Sequence, residues 1–437
     1  MPTTQDFEYL LECKNVIGVD YDESENEVRV FVSQKEPPSS LEDKDDVEKR
    51  IHEVGDADIT VDVVDAGYGE ERQGFDPLAT LEVVPEAAAG RNDRHRPIPA
   101  GVSESNAELT AGTGGPYPAR VADDADSDAV WSDAAEPGDL VRLSNNHVYA
   151  RSNEADPGEP IRQPAPRDDG GPDDAVGDLV GYVPIADGVR VDVAARSVDR
   201  ERESDRYYEL DPEWPTGVRR DGYGQLRGET VTKTGRTTGV TSATVEATSA
   251  SVDVEFGPEQ GTVTLRDQLI TGYMSEGGDS GSPVFLEDGQ LVGLLFAGSA
   301  QQTICNRIGN VERELGVEIL LEEPDDGNGG GDDDEDDRDV SVYTTSFETD
   351  LEVDLEGATL ELESVTFDDR LLPGTTVPAT VVVEASEPGA YWLEVDGERR
   401  TLEVEPDDRD RSVEVEVQIP DRADGSVTLS VRGGPVE

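Results

Sequence analysis

Between about residues 100 and 320, short apolar runs alternate with glycine-rich turns. The runs are DLVRLSNNHVYA, DLVGYVPI, GVRVDVAARSV, ETVTKTGRTTGVTSATVEATSASVDVEF, TLRDQLITGYM and SPVFLEDGQLVGLLFAG. Apolar runs of this kind, bounded by turn residues, are the signature of strands. So many in succession restrict this region to an all-β barrel or sandwich. NRIGNVERELGVEIL closes the block with Ile308, Val311 and Leu315 at helical spacing, which predicts an amphipathic helix.

At 437 residues the chain is too long for one ordinary domain. Ahead of the β block, NVIGVDYD and EVRVFVS read as strands joined by ESEN as a hairpin. EDKDDVEKRIHEV comes next, with Val47, Ile51 and Val54 at helical spacing, and then DITVDVVDAG as another strand. This ββαβ order predicts a small α+β domain over 1–85, with the β domain spanning 86–322. EPDDGNGGGDDDEDDRD, at 323–339, has nothing to bury and lacks the spacing of a calcium loop, so it reads as a solvated linker. Residues 340–437 alternate apolar and polar over about seven short strands, as in an immunoglobulin-like β-sandwich.

The charge is extreme. The chain carries 100 acidic and 36 basic residues, a formal net charge of -64. Its only lysines are Lys14, Lys35, Lys44, Lys49 and Lys233. A hydrophobic content of 34% would by itself lean toward disorder, but the apolar runs are well patterned, so folded domains with a very acidic surface are expected. Such a surface repels itself at low salt, and molar salt shortens the Debye length to about 3 Å and screens it. Heavy acidity with few lysines resembles proteins of extreme halophiles. It also argues against nucleic acid as a partner, which needs a basic footprint.

Cys13 and Cys305 fall in different predicted domains and imply no disulfide framework. The N-terminus lacks the pattern of a signal peptide, and no apolar run approaches the roughly 20 residues of a membrane helix. A cytoplasmic protein without membrane contact is expected. Neither His52 nor His95 has cysteine or histidine neighbours at metal spacing, so no metal or cofactor is expected.

Residues 275–285 read SEGGDSGSPVF. A turn accounts for Gly277 and Gly278, but not for Ser280 held between Asp279 and Gly281. A serine hydroxyl becomes a nucleophile only with a base in reach, a group that orients the base, and donors for the developing oxyanion. With three histidines in the chain the search for a base is short. His147 lies at the end of an apolar run in RLSNNHVYA. In GVRVDVAARSV, Asp192 is flanked by apolar residues, where a buried acid needs a partner such as a histidine N–H. Asp187 and Asp199 are rival acids in more polar text and read as surface residues. The glycines around Ser280 let a substrate carbonyl approach the N–H groups of Gly278 and Ser280.

SNNHV, VDVA and GGDSGSP, in the order His, Asp, Ser, resemble the triad motifs of trypsin/chymotrypsin-like serine peptidases. The intervals are 192 − 147 = 45 and 280 − 192 = 88 residues. The SNNHV form is similar to the disulfide-poor prokaryotic branch. RPIPAGVSESNAELTAGTGG, VTKTGRTTGVTSATV and LLFAGSAQQTICNRIGNV are similar to a subset that includes the narrow-leaf-type plant proteins. The resemblance covers about 90–320. It implies a double β-barrel and a serine endopeptidase acting on protein or peptide substrates through an acyl-enzyme. His147 would be the base, Asp192 its orienter, Ser280 the nucleophile, and the N–H groups of Gly278 and Ser280 the oxyanion hole. One departure is Ser282, where the family has a second glycine after the nucleophile.

The resemblance also implies that Tyr273, Met274 and Leu295 to Gly298, including Phe296 and Ala297, line the substrate site. None is acidic, which disfavours a lysine or arginine specificity and favours a small or medium apolar residue. Leu295, Phe296 and Ala297 would offer backbone groups to an extended substrate. GRTTG, at 235–239, reads as a turn with Arg236 paired locally, and Cys305 as a small buried residue. Two other functions fit the same residues: a peptide-binding or regulatory protein on a peptidase scaffold, and an esterase-like hydrolase.

Overall fold

The computed structural model of the chain describes residues 2–54, 59–78, 85–122 and 128–324, and beyond them the backbone of seven strands between Glu348 and Pro435. The chain divides into two units, Met1–Asp326 and Gly327–Glu437. Both are mainly β.

Strand Leu140–Ser144 shows how the alternating text becomes structure. Val141 and Leu143 are buried in an apolar cluster. Arg142 points the other way, as the two-residue period of a strand requires. Strands with this pattern build two large sheets in the first unit. One has 11 strands. Its path runs Thr230–Gly235, Pro283–Leu286, Gln290–Gly298, Gln302–Arg307, Thr262–Gly272 and Gly239–Glu255, then Val16–Asp22, Glu27–Val32 and Thr60–Asp65. Because Thr230–Gly235 also pairs antiparallel with Gly239–Glu255, the path from 230 to 255 closes into a circuit. The second sheet has 8 strands, among them Ala119–Val121, Leu140–Ser144, Ala194–Ser197 and Ala175–Tyr182. Its pairings among the described residues form an open path. Of the expected pair of barrels, a mainly β unit with two large sheets and few helices is what is observed.

The two sheets share a core. Val141, Leu143, Val191 and Val193 pack in one cluster with Phe285, Leu291 and Leu294 from the larger sheet. Helix Ile308–Leu315 closes it, with Ile308, Val311 and Leu315 fully buried on the face its spacing predicts. Gly316 ends this helix at φ 75°, the left-handed conformation that favours glycine.

The N-terminal ββαβ order is present as Val16–Asp22, Glu27–Val32, helix Val47–Val54 and Thr60–Asp65. A 3-10 helix, Thr4–Glu12, precedes it in a stretch where the sequence pattern predicts no element. These elements do not stand apart from the β region after them. Val16–Asp22 pairs antiparallel with Gly239–Glu255, Gly18 opposite Val252, so the N-terminal strands extend the larger sheet within one unit. Strand pattern reveals a strand but not whose edge it will cover. In the second unit, Glu348–Leu355, Ser426–Pro435, Gly389–Val395 and Glu398–Val404 form one sheet, and Leu360–Phe367, Thr376–Ala385 and Asp410–Gln418 another. Of the expected linker, residues 325–339 lie outside the described residues.

Charges are buried where they are fully paired. Glu203 accepts from Arg142 Nε at 2.8 Å and from Arg196 Nη1 at 2.8 Å, and Arg196 Nε reaches Glu104 at 2.6 Å. All four side chains are buried. Burial alone would raise the Glu203 carboxyl, but the Arg196 and Arg142 guanidiniums hold it below the usual carboxylate range. Glu203→Gln is expected to destabilise the unit by about 3–5 kcal/mol, read by unfolding in molar KCl. A carboxylate with a lowered folded pKa stabilises fully above its unfolded pKa of about 4.3 and loses that contribution as pH falls through the folded value. The gap between wild type and variant should therefore close on acidification.

Candidate active site

His147 sits on a single helical turn, Asn146–Tyr149, that leaves strand Leu140–Ser144. Asn146 fixes the turn by donating to the Val183 carbonyl at 2.7 Å and to Asn153 at 2.8 Å. Asp192 precedes strand Ala194–Ser197, which pairs with the strand carrying the turn. Its carboxylate accepts the His147 backbone N–H at 3.1 Å, and its other oxygen meets His147 Nδ1 in a very short contact. His147 and Asp192 are fully buried. Asn145 and Asn306 hold the backbone of Asp192: both donate to its carbonyl, at 2.8 and 3.1 Å, and Asn306 accepts its N–H at 3.0 Å. The rival acids Asp187 and Asp199 are exposed.

Ser280 lies in the loop between strands Thr262–Gly272 and Pro283–Leu286 and is fully buried. Thr113 ties it to the strand that leads to His147: Thr113 N–H donates to the Ser280 carbonyl at 2.8 Å, and Ser144 Oγ donates to the Thr113 carbonyl at 2.9 Å. Gly281, at φ 95°, lies so close to both that a Cβ there would meet Thr113 O at 2.1 Å and Ser144 Oγ at 2.3 Å. The expected contact of Ser280 with His147 is replaced by another. The Ser280 hydroxyl donates to the Phe296 carbonyl at 3.1 Å, and His147 Nε2 is buried without a hydrogen-bond partner.

The loop is held by an ion pair that sequence reading did not assign. Lys233 Nζ lies 3.2 Å from Asp279 Oδ2, both side chains fully buried. Asp279 also accepts Thr237 N–H at 2.7 Å, Thr238 Oγ1 at 2.7 Å and Glu276 N–H at 3.0 Å. Thr237 Oγ1 donates to the Gly277 carbonyl at 2.7 Å, and Thr113 Oγ1 to the Gly278 carbonyl at 2.8 Å. With both carbonyls engaged and Gly278 at φ 97°, the Gly278 N–H is directed at the Leu78 carbonyl. GRTTG is thus a turn between strands, as expected, that also carries loop-holding groups. Arg236 donates locally to Thr237 Oγ1 at 3.0 Å, as expected, and its ion pair is with the remote Asp168, at 2.6 and 2.7 Å. A lysine at an inward position of a strand was the available signal for Lys233.

The expected lining residues separate. Met274 and Leu295 are buried in one apolar cluster with Leu78 and Cys305. Phe296 and Ala297 belong to a different cluster, and they and Gly298 pair through their backbone with residues 76–78. Tyr273 is 47% exposed, with its hydroxyl donating to Glu276 at 2.9 Å, so its side chain does not share the buried lining. Cys305 is free and fully buried, and burial pushes its thiol up. His95 Nε2 contacts the Gly90 carbonyl at 2.8 Å, and His52 is exposed on its helix. Among the described residues, no group of three or more His, Cys, Asp and Glu side chains could hold a metal ion, and no helix is long and apolar enough to cross a membrane.

No family model matches the chain, and no curated protein matches it. Solved structures of a protease do. The inactive form of the Rv3671c protease matches at 18% identity and a TM-score of 0.25, covering 48% of this chain and 85% of that one. An inactive-form serine-to-alanine mutant of Rv3671c from M. tuberculosis H37Rv matches at 17% identity and a TM-score of 0.26, covering 48% and 82%. At these TM-scores the likeness carries no inference about the site, which stands on its own geometry.

Lys233 is stabilised as a cation by Asp279 against the burial that lowers its pKa. Lys233→Met would leave Asp279 buried without its cation and cost about 3–5 kcal/mol. The double variant Lys233→Met with Asp279→Asn should recover most of that loss, measured as a double-mutant cycle of unfolding free energies in molar KCl.

Proposed function

We propose that this protein is a serine endopeptidase of the trypsin/chymotrypsin-like type, working in concentrated salt. The observation that carries the reading is the buried Asp192–His147 pair, joined through Thr113 to the glycine-framed loop that holds Ser280. Asp192 fixes the ring with Nδ1–H toward its carboxylate. That leaves Nε2, the unpartnered nitrogen, as the proton acceptor. Rotation of Ser280 about its Cα–Cβ bond, between staggered positions roughly 120° apart, takes the hydroxyl off the Phe296 carbonyl.

Ser280 Oγ then adds to a substrate carbonyl carbon as its proton passes to His147 Nε2. The negative oxygen is received by the N–H groups of Gly278 and Ser280, the first of which a substrate takes over from the Leu78 carbonyl. Collapse breaks the C–N bond, with the leaving amine taking the proton from His147. Water repeats the cycle on the acyl-enzyme.

A second reading, a peptide-binding scaffold with little catalysis, is favoured by the resting contact of Ser280 with Phe296 and by the Leu78 carbonyl that occupies the Gly278 N–H. Fluorophosphonate labelling in molar KCl separates the two. Labelling of wild type and its loss in Ser280→Ala and His147→Ala are expected, with peptide hydrolysis falling by roughly 10^4–10^6-fold in each. A folded wild type that neither labels nor hydrolyses peptides would transfer support to the binding scaffold.

A further inference from the structure

One segment of the chain lies against its own Ser280 loop. Residues Asp76–Pro77 pair antiparallel with strand Gln290–Gly298, Pro77 opposite Ala297 and Asp76 opposite Gly298. Leu78 N–H donates to the Phe296 carbonyl at 3.1 Å. The Leu78 carbonyl accepts the N–H of Gly278, the same group that would receive the oxyanion. The Leu78 side chain is buried in the cluster that holds Met274 and Leu295. Each of these contacts is one that an extended substrate would make on the acyl side of the bond to be cut.

The segment is also anchored from behind. Phe75 is fully buried and its N–H donates to the Asp253 carbonyl at 2.8 Å. Asp76 N–H donates to Tyr68 Oη at 3.1 Å, and Tyr68 Oη donates to the Gly298 carbonyl at 3.0 Å. Gly74 passes so close to strand Gly239–Glu255 that a Cβ would lie 2.8 Å from the Asp253 backbone. Leu78 is therefore presented to the nucleophile loop by the fold, and the orientation cost of a bimolecular encounter is already met.

We propose that the protein processes itself: Ser280 cleaves the peptide bond that comes after Leu78 in the same chain. The proposal rests on the peptidase reading. Ser280 Oγ bonds to the Leu78 carbonyl carbon and His147 Nε2 takes the hydroxyl proton. The C–N bond after Leu78 breaks and the new amino terminus takes that proton. One water then hydrolyses the ester, giving fragments 1–78 and 79–437. Fragment 1–78 stays bound, because strand Val16–Asp22 remains paired with Gly239–Glu255 and Phe31 and Phe75 remain in the shared core. The same register assigns the site a substrate class: peptides with leucine, or an apolar residue of similar size, on the acyl side of the cut.

The test is intact-mass spectrometry with fluorophosphonate labelling of the full chain in molar KCl. Wild type should convert to 1–78 and 79–437 under denaturing conditions while eluting as one species natively. Its rate should be independent of protein concentration over about a 100-fold range, as an intramolecular step requires. Ser280→Ala should stay full-length. Leu78→Asp, shown folded by circular dichroism, should slow the cut at least about 10-fold, and Leu78→Met should keep it. A wild type that labels but remains full-length would overturn self-processing and leave the peptidase reading standing. Absence of labelling and of any hydrolysis would overturn both. A cut that persists in Ser280→Ala would assign it to another protease and overturn the proposal.

Discussion

The loop that holds Ser280 depends on a carboxylate that cannot reach water. Asp279 is fully buried, and a lone charge there would be prohibitive. Lys233 comes from strand Thr230–Gly235, Thr237 and Thr238 from the turn after it, and Glu276 from the loop itself. Satisfying one carboxylate thus ties a strand, a turn and the loop together. The conformation of Gly278 and the direction of its N–H result from that closure. Burial of this charge pair thus sets the shape of the loop.

The same logic distributes charge through the whole unit. Positive groups are scarce, yet Arg91, Arg142, Arg196, Arg236 and Lys233 are all almost wholly buried. Each meets a carboxylate or backbone carbonyls inside. Carboxylates such as Glu104, Glu203 and Asp279 are buried with them, so this burial leaves the net charge of the outer surface close to that of the whole. Salt screens charges on that surface but hardly touches buried pairs. Internal ion pairs such as Lys233–Asp279 therefore hold their loops largely independently of ionic strength.

The N-terminal strands give the second large constraint. By adding to the edge of the 239–255 strand they carry residues 74–78 back across the sheet to strand Gln290–Gly298. Sheet continuity, rather than a flexible tether, brings Leu78 to the Gly278 N–H. Its carbonyl thereby occupies the donor on which the proposed chemistry relies.

Much of this was legible in the alternating text. The strands of residues 100–320, the closing helix with Ile308, Val311 and Leu315, and the N-terminal ββαβ order all arise from local periodicity, which is a property of neighbours in sequence. The pairing of His147 with Asp192 was legible too, because a buried acid between valines demands a donor and the chain has few histidines. What the sequence could not supply was every relation set by distance in the fold. The joining of the N-terminal strands to the larger sheet, the roles of Lys233, Thr113, Asn145 and Asn306, the remote partner of Arg236, and the seat of Leu78 all depend on which edges and buried charges meet. Periodicity determines the face a residue presents; only the packed sheets determine what stands opposite that face.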